Sequence, residues 1–300
     1  MKLVSYRTQS AFAGEPGRDV RLGIVEGEVL IPSASLGKGV PSTMAELLAA
    51  WPKGLAVIEA AFRADDQPET IELGAVELLA PVPRPGKILA AGVNYRSHGA
   101  EQDKAPPDHP VLFAKMTSAL VGHGAEIRWS PSLTQAVDFE AELAAVIGRT
   151  CRRVSEAEAL DYVAGYTCLN DVSARDLQYS DKQFVRAKSL DTFCPMGPWL
   201  MTANEITDPQ ALRLRCLVNT EVMQDASTAD MIFGVAQLVS FCSQAMTLEP
   251  GDVIATGTPA GVGWFREPKR LLRDGDEVVV EIEHIGRLVN HCREERLAVG

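Results

Sequence analysis

The sequence lacks the features that mark exported, membrane-embedded and nucleic-acid-binding proteins. No leader of basic and then apolar residues follows Met1, because Ser5, Tyr6 and Arg7 interrupt the first apolar residues. No stretch comes near the roughly 20 apolar residues that a membrane helix needs. The net charge is −11, so a surface that neutralises nucleic-acid phosphates is not expected. We therefore expect a cytoplasmic protein that binds neither membranes nor nucleic acids.

Motifs for zinc, redox chemistry and nucleotides are also absent. The six cysteines include no C-x-x-C pair, which disfavours a zinc knuckle or a thioredoxin-like site and favours buried, reduced thiols. The glycine-rich stretch 257–263, GTPAGVG, fits neither the dinucleotide fingerprint nor the P-loop. Backbone N–H groups in such a turn can still bind a carboxylate, such as that of a substrate.

Proline and glycine divide the chain into two predicted domains. The stretch 81–86, PVPRPG, predicts a boundary between a small β-rich domain at 1–80 and a larger domain at 86–296. Apolar patterning predicts more strands than helices, with strands at 20–31 (a hairpin), 87–93, 137–148, 252–255 and 277–284, and helices at 43–51, 155–163 and 235–246. The two kinds of element do not alternate regularly, which disfavours a TIM barrel or a doubly wound sheet. The expected fold is a strand-rich, mixed α/β structure.

Carboxylates with the spacing of a metal site lie in the predicted strand 137–148. Glu140 and Glu142 share one face of that strand with their Cα atoms roughly 7 Å apart, so both can reach one ion. Taken alone, such a pair is more often a solvated surface feature. Asp171, in the segment LNDVSARD, adds a third oxygen ligand. Oxygen ligands suit Mg²⁺ or Mn²⁺, with Ca²⁺ as an alternative in vitro, and three of them leave room for substrate oxygens.

A histidine–glutamate pair and a lysine are candidates for proton transfer and charge stabilisation. If residues 98–101 are helical, His98 and Glu101 lie on one face, where the carboxylate can orient the ring and raise its basicity. An ordinary surface pair is the alternative. Lys188 precedes an apolar, proline-containing stretch and, if buried, can stabilise an enolate; a solvated lysine is the default. The proline-rich segment 102–110 is expected to be an exposed loop of the kind that covers an active site.

Six blocks of sequence together resemble the fumarylacetoacetate hydrolase family. They are, in order, GVNYRSHGAE, PVLFAKMTSALVG, VDFEAELAAVIG, GYTCLNDVSARDLQ, AKSLDTFCPMGP and PGDVIATGTPAGVG. The blocks run from residue 92 to residue 263. The resemblance implies the family's β-sandwich roll as a catalytic domain at 86–296, while residues 1–80 are similar to the variable N-terminal domain of bacterial members.

The resemblance also implies a role for each candidate residue. It implies metal ligation by Glu140, Glu142 and Asp171, water activation by His98 and Glu101, enolate stabilisation by Lys188, and substrate contacts by Lys115, Gln178 and Thr258. Arg175 and Asp176 fit the family pattern and are interpreted as structural, ion-paired residues. The implied cofactor is Mg²⁺ or Mn²⁺, the implied assembly is a homodimer, and the implied substrates are 2-oxo acids and β-dicarbonyl compounds.

These roles predict a metal-dependent hydrolase that cleaves a C–C bond of a 2,4-dioxo acid, such as an acylpyruvate, through a pyruvate enolate. An isomerase or decarboxylase of related 2-oxo acids would use the same enolate without an attacking water. A protein that binds a metal or metabolite without catalysis is the alternative from another class. The part of the substrate far from the metal is expected to contact the 102–110 loop and the N-terminal domain.

Overall fold

A computed structural model describes residues 1–8 and 20–295 of the chain. Residues 9–19 of the predicted N-terminal domain and residue 296 of the predicted catalytic domain lie outside the described residues. The described part is a strand-rich, mixed α/β structure, which confirms the predicted fold class.

The strands, in chain order, are β1 (Lys2–Thr8), β2 (Arg21–Glu26), β3 (Val29–Pro32), β4 (Ile71–Glu72), β5 (Val76–Leu78), β6 (Ile88–Gly92), β7 (Val111–Lys115), β8 (Leu120–Val121), β9 (Glu126–Trp129), β10 (Val137–Asp138), β11 (Ala141–Ile147), β12 (Val163–Asn170), β13 (Ser173–Ala174), β14 (Cys194–Thr202), β15 (Arg213–Val218), β16 (Glu221–Ser227), β17 (Val253–Ala255), β18 (Glu277–Ile282) and β19 (Gly286–Glu294). The α-helices are α1 (Met44–Ala49), α2 (Lys53–Ala64), α3 (Arg96–Glu101), α4 (Glu156–Ala159), α5 (Arg175–Asp181) and α6 (Val235–Ala245).

Two large sheets account for most of these strands. The larger follows the order β4-β3-β2-β1-β14-β12-β11-β17-β6-β7, with β5 paired to β1 and β8 to β14. The smaller has the order β16-β15-β18-β19-β9, and β10 and β13 form a separate two-stranded ladder. Most neighbours are antiparallel, but β17 runs parallel to β6. Strands β11 and β12 are therefore central, with partners on both sides.

The core between the two sheets explains why the centre of the larger sheet is so apolar. Leu143 and Ala145 of β11 belong to one hydrophobic cluster with Leu214 of β15 and Val280 of β18. The opposite face of β11, including Val146, packs into a second cluster. All seven residues of β11 are buried. Carboxylates at the start of this strand consequently cannot be a solvated surface pair.

The N-terminal strands continue the larger sheet. Strand β1 pairs with β14 in antiparallel register, with Lys2 opposite Met201 and Leu3 opposite Leu200. The hairpin predicted at 20–31 is present as β2 and β3, and Gly27 in its turn has a φ of 59°. The division into domains at 1–80 and 86–296 stays a prediction.

The predicted strand 137–148 is interrupted, and this part of the prediction was wrong. Strand β10 pairs with β13, whereas β11 pairs with β12 and β17. At the break, side chains replace the ladder partners: Glu140 N–H donates to Asn170 Oδ1 and Ala141 N–H donates to Gln224 Oε1, both at 3.0 Å. The interruption places Glu140 outside the regular alternation of β11.

The predicted starts of two helices and the free, buried state of the cysteines are confirmed. The hydroxyl of Ser155 donates to Glu158 Oε2 at 2.6 Å in the capping box of α4, although this helix ends at Ala159 and a short 3₁₀ turn precedes β12. Thr43 caps α1 by accepting from Glu46 N–H at 3.2 Å. All six cysteines are free and buried. Among the described residues, no helix is both long and apolar enough to cross a membrane.

Candidate metal centre and active site

Three buried carboxylates meet where two central strands lie side by side. Glu140 directly precedes β11, Glu142 lies within it, and Asp171 directly follows β12. The two strands are antiparallel neighbours with Ala141 opposite Asn170, so the start of one meets the end of the other. Each carboxylate offers an oxygen that lies within 4.8 Å of those of the other two. The structure thus brings together the three predicted metal ligands.

Two lysines partly compensate this concentration of negative charge. The ammonium of Lys188 lies 2.8 Å from Glu140 Oε2 and 2.7 Å from Asp171 Oδ2. The ammonium of Lys115 lies 2.5 Å from Asp171 Oδ1 and also donates to the backbone carbonyl of Lys188. Three carboxylates and two ammonium groups leave one net negative charge when all are ionised. A divalent cation would reverse its sign and favour an anionic substrate.

The carboxyl groups of the cluster respond differently to this environment. For Glu140, burial alone would raise the pKa, but Lys188 and Arg175 outweigh burial and hold the pKa at about 2. For Glu142, burial and the nearby charges of Asp171 and Glu140 raise the pKa well above its ordinary range. Such a group needs a proton or a cation. The three oxygen donors fit Mg²⁺ or Mn²⁺ by their chemistry, as the sequence predicts.

The predicted histidine–glutamate pair is present on helix α3. The Nδ1 atom of His98 lies 2.5 Å from Glu101 Oε1, and the His98 side chain is buried. The second oxygen of Glu101 accepts a hydrogen bond from Gly261 N–H at 2.9 Å. Before the helix, the side chain of Asn94 donates to the carbonyls of Phe233 and Thr256 and so anchors its entry. The carboxylate that orients the ring is therefore itself held in place.

A cavity of about 220 Å³ joins the dyad to the carboxylate cluster. Of the predicted site residues, the cavity wall includes His98, Glu140, Gln178, Lys188 and Thr258. The apolar part of the wall includes Phe113, Phe184 and Phe265 from different segments, together with Ala91, Val93 and the ring of Tyr179. The 102–110 loop contributes to the wall, as expected. The N-terminal domain does not contribute in the described part of the chain, where the lining residues begin at Ala91.

The three residues predicted to contact substrate differ in their position relative to the cavity. Gln178 lines the cavity, and its Oε1 accepts from Arg175 Nη1 at 3.0 Å. The Thr258 hydroxyl donates to Ala141 O at 2.9 Å and accepts from Gln224 Nε2 at 2.8 Å, so its oxygen is largely occupied by the protein. Lys115 is buried and does not line the cavity. Its ammonium donates to Asp171 and to a backbone carbonyl.

Arg175 links the cluster to a buried carboxylate that the sequence did not single out. Its Nε donates to Asp138 Oδ2 at 2.8 Å, and its Nη1 lies 2.8 Å from Glu140 Oε1. The interpretation of Arg175 as an ion-paired residue agrees with this geometry, and the neighbouring carboxylates raise the pKa of its guanidinium despite burial. Asp176 is instead held by neutral donors, since it accepts from the Thr134 hydroxyl at 2.6 Å.

The glycine-rich loop, residues 257–264, holds carboxylates of the protein itself. Four of its backbone N–H groups donate to three site carboxylates: Gly257 to Glu142 at 2.9 Å, Gly261 to Glu101 at 2.9 Å, and Gly263 and Trp264 to Asp138 at 2.8 and 3.1 Å. Gly257 and Gly261 have φ values of 92° and 103°, which glycine adopts without strain. These N–H groups are therefore not available to a substrate carboxylate, because carboxylates of the protein itself accept their hydrogen bonds.

Three residues of the candidate site have no role predicted from the sequence. Asp138 precedes Glu140 by two positions in the same predicted strand, and that spacing could have identified it. Gln224 carried no signal, because it joins the break before β11 to Thr258 across the fold. Gln102 was predicted only as part of the 102–110 segment, and its contact with His98 was not foreseen.

The fold and the site together define a member of a known family. A family model described as fumarylacetoacetate (FAA) hydrolase C-terminal matches residues 87–293. The chain belongs to the fumarylacetoacetate hydrolase family.

Proteins similar to this chain carry names for different reactions. An oxaloacetate tautomerase of Bos taurus, FAHD2A, is 43% identical over 84% of this chain and 80% of its own length. The structure of 5-carboxymethyl-2-hydroxymuconate delta-isomerase from Mycobacterium smegmatis is 34% identical, with a TM-score of 0.76, covering 98% of this chain and 100% of that one. Maleylpyruvate hydrolase from Sphingobium sp. SYK-6, in complex with manganese(II) and pyruvate, is 33% identical, with a TM-score of 0.79 and coverage of 99% and 100%.

Proposed function

We propose that the protein is a divalent-metal-dependent enzyme that interconverts the keto and enol forms of oxaloacetate. The observation that carries this proposal is one small cavity with His98 of the dyad and Glu140 and Lys188 of the cluster on its wall. Its volume of about 220 Å³ is below the usual range for drug-sized ligands and suits a four-carbon acid. The relative named as an oxaloacetate tautomerase is more similar in sequence than the relatives named for other reactions described above.

The residues divide the work of moving one proton. His98, with its Nδ1 bonded to Glu101, would accept a proton from C3 of the substrate at Nε2, and Glu101 would stabilise the imidazolium that forms. Lys188 would stabilise negative charge as it develops on the C2 oxygen. The His98 imidazolium then donates this proton to the C2 oxygen, which gives the enol. Glu140, Glu142 and Asp171 would hold a divalent cation, which would supply positive charge for an anionic substrate and its enolate.

The test follows the loss of the ultraviolet absorbance of enol-oxaloacetate in the presence of Mn²⁺ or Mg²⁺. The rate should exceed the uncatalysed rate and fall after EDTA treatment or in a Glu140→Gln variant, with recovery on adding metal to the native protein. An uncatalysed rate at saturating metal would refute the proposed function. Tight metal binding without turnover of any 2-oxo acid would instead support a binding protein.

Hydrolysis of a 2,4-dioxo acid is the second candidate, and the intact dyad favours it. A water placed between His98 and the substrate's C4 carbonyl would be activated by the same imidazole. Incubation with acylpyruvates distinguishes the reactions, because hydrolysis releases pyruvate and a carboxylic acid. Release of pyruvate at a rate above that of oxaloacetate tautomerisation would make the hydrolase the better description.

The proposal extends to cofactor, assembly and location. We propose Mg²⁺ or Mn²⁺ as the ion, a homodimer as the assembly and the cytoplasm as the location. Native mass spectrometry of the metal-loaded protein measures both the number of ions and the number of chains. A monomer at micromolar concentration would contradict the dimer, and cell fractionation tests the location.

A further inference from the structure

The end of helix α3 fixes the position of Lys104 relative to the catalytic dyad. Asp103 has a φ of 54°, in the left-handed region. Its N–H donates to Ala100 O at 3.1 Å, and Lys104 N–H donates to Gly99 O at 2.9 Å. These two bonds and the left-handed residue make up a Schellman motif. A Cβ atom at Gly99 would lie 3.2 Å from Lys104 O, so glycine permits this close return of the chain.

The side chain of Lys104 is connected to the ring of His98 through one amide. Its ammonium donates to Gln102 Oε1 at 2.7 Å, and Gln102 Nε2 lies 2.7 Å from His98 Nε2. An ammonium only donates, which orients the amide with its oxygen towards Lys104 and its NH₂ towards the ring. His98 Nε2 is then the acceptor, and the proton on Nδ1 faces Glu101. Gln102 thus occupies the lone pair that has to accept the substrate's proton.

Lys104 also stands out by its charge environment. The basic side chains on the cavity wall are those of Lys104, Arg175, Lys182 and Lys188. Arg175 and Lys188 are each paired with buried carboxylates. Within the described ranges, neither Lys104 nor Lys182 has a carboxylate at ion-pair distance, and both are exposed. Of these two, Lys104 is the one bonded to the network of the dyad. An anionic ligand in the cavity would therefore pair with this ammonium without displacing a carboxylate of the described residues.

We infer that Lys104 selects 2-oxo acids with a second carboxylate: its ammonium binds that carboxylate in place of Gln102 Oε1, and Gln102 then releases His98 Nε2. The inference rests on the proposed function and adds the residue that recognises the substrate class. A charge-assisted bond to a carboxylate is stronger than a bond to a neutral amide, which drives the exchange. A monocarboxylic acid leaves Lys104 on Gln102, and the base stays blocked.

Binding of two inert ligands tests the recognition step. Malate and 2-hydroxybutyrate of the same configuration share a carboxylate and a C2 oxygen, and they differ in a terminal carboxylate or methyl group. We would titrate both into the Mn²⁺-loaded protein by calorimetry. Lys104→Met should weaken malate binding about tenfold and leave 2-hydroxybutyrate binding unchanged, as expected for the loss of one charge-assisted bond. Lys104→Arg should restore most of the malate affinity.

Lys182→Met is the matched control, because it removes a second exposed lysine of the same cavity that has no bond to the dyad's network. A loss of malate affinity in Lys182→Met equal to that in Lys104→Met would overturn the inference in favour of a general positive potential. Unchanged malate affinity in Lys104→Met, or an equal loss for both ligands, would also overturn it. These results do not depend on turnover, so a protein that binds malate through Lys104 yet does not tautomerise oxaloacetate refutes only the proposed function.

A separate measurement tests the release of the base. Exchange of the C3 protons with deuterium, followed by NMR, reports enolisation of both oxaloacetate and 2-oxobutyrate. Gln102→Ala removes the block on His98, so the exchange rate of 2-oxobutyrate relative to oxaloacetate should rise. An unchanged ratio would contradict the release step, because the blocked state would then not be what disfavours the monocarboxylic acid.

Discussion

Replacement of Arg175 by methionine should destabilise the protein far more than the loss of an exposed arginine. The Arg175 side chain is 4% exposed, and it lies between Asp138 and Glu140, which are 0% and 7% exposed. Methionine fills a similar volume without charge, so both carboxylates would lose a cation while remaining buried. Breaking a buried ion pair in this way typically costs 3–5 kcal/mol, against about 0–1 kcal/mol for an exposed pair.

The structure favours the lower end of that range for Arg175→Met. Asp138 keeps hydrogen bonds from the N–H groups of Phe139, Gly263 and Trp264, and Glu140 keeps the ammonium of Lys188. Asp138 therefore loses its cation but keeps three N–H donors. Glu140 loses one of its two cations and keeps the other. We expect a decrease in the free energy of unfolding of about 3 kcal/mol.

Urea denaturation at neutral pH, analysed by linear extrapolation, measures this decrease. Arg213→Met is the matched control, since Arg213 makes a two-pronged pair with Asp225 on the surface, with side chains 58% and 40% exposed. That variant should unfold at nearly the same urea concentration as the native protein. Equal destabilisation by both variants would refute the argument from burial, and so would an Arg175→Met protein as stable as the native one.

Three further predictions concern the carboxylate cluster, the histidine–glutamate dyad and the loop after helix α3. The pKa of Glu142 is raised in the folded, metal-free protein, so its carboxyl group keeps a proton there. In the unfolded chain the same group loses this proton above the ordinary glutamate pKa of about 4.3. Thermal stability in EDTA should therefore fall as pH rises from about 5 to 8, a fall that Glu142→Gln abolishes; a flat profile in the native protein would contradict the assignment. Glu101→Gln should reduce tautomerisation roughly a hundredfold without changing Mn²⁺ affinity in calorimetry, since the glutamate acts through His98; a matching loss of metal affinity would argue for a structural role instead. Asp103→Val should cost about 1–2 kcal/mol in urea denaturation, because a branched residue must adopt the left-handed conformation, and an unchanged midpoint would exclude the Schellman geometry.

The sequence was informative where a local pattern decides the structure. Local patterning predicted helices that start at residues 43 and 155, where Thr43 and Ser155 cap α1 and α4, and the apolar period at 235–246 predicted α6. His98 and Glu101 could be placed on one face of a short helix because residues three positions apart are neighbours on a helix surface. Such features depend on neighbours in the chain and are visible without a tertiary structure.

The sequence was least informative where distant segments decide the structure. The strand predicted at 137–148 is broken because Asn170 and Gln224 bond the backbone at the break, and neither residue is close in sequence. The same holds for Lys115, whose ammonium reaches Asp171 across 56 positions. The burial that distinguishes Glu140 and Glu142 from a solvated surface pair also comes from packing between sheets.

Opening of the glycine-rich loop would disturb the dyad and the carboxylate cluster at the same time. One segment of eight residues holds Glu142 of the cluster, Glu101 of the dyad and Asp138 beneath them through its amide protons. Transient opening of this segment would expose those amides to exchange with solvent deuterium in a single event. Loss of the cation and loss of the oriented base would then share one opening rate. Inactivation and metal release should accordingly proceed with the same time course, as a single cooperative unit of the native state.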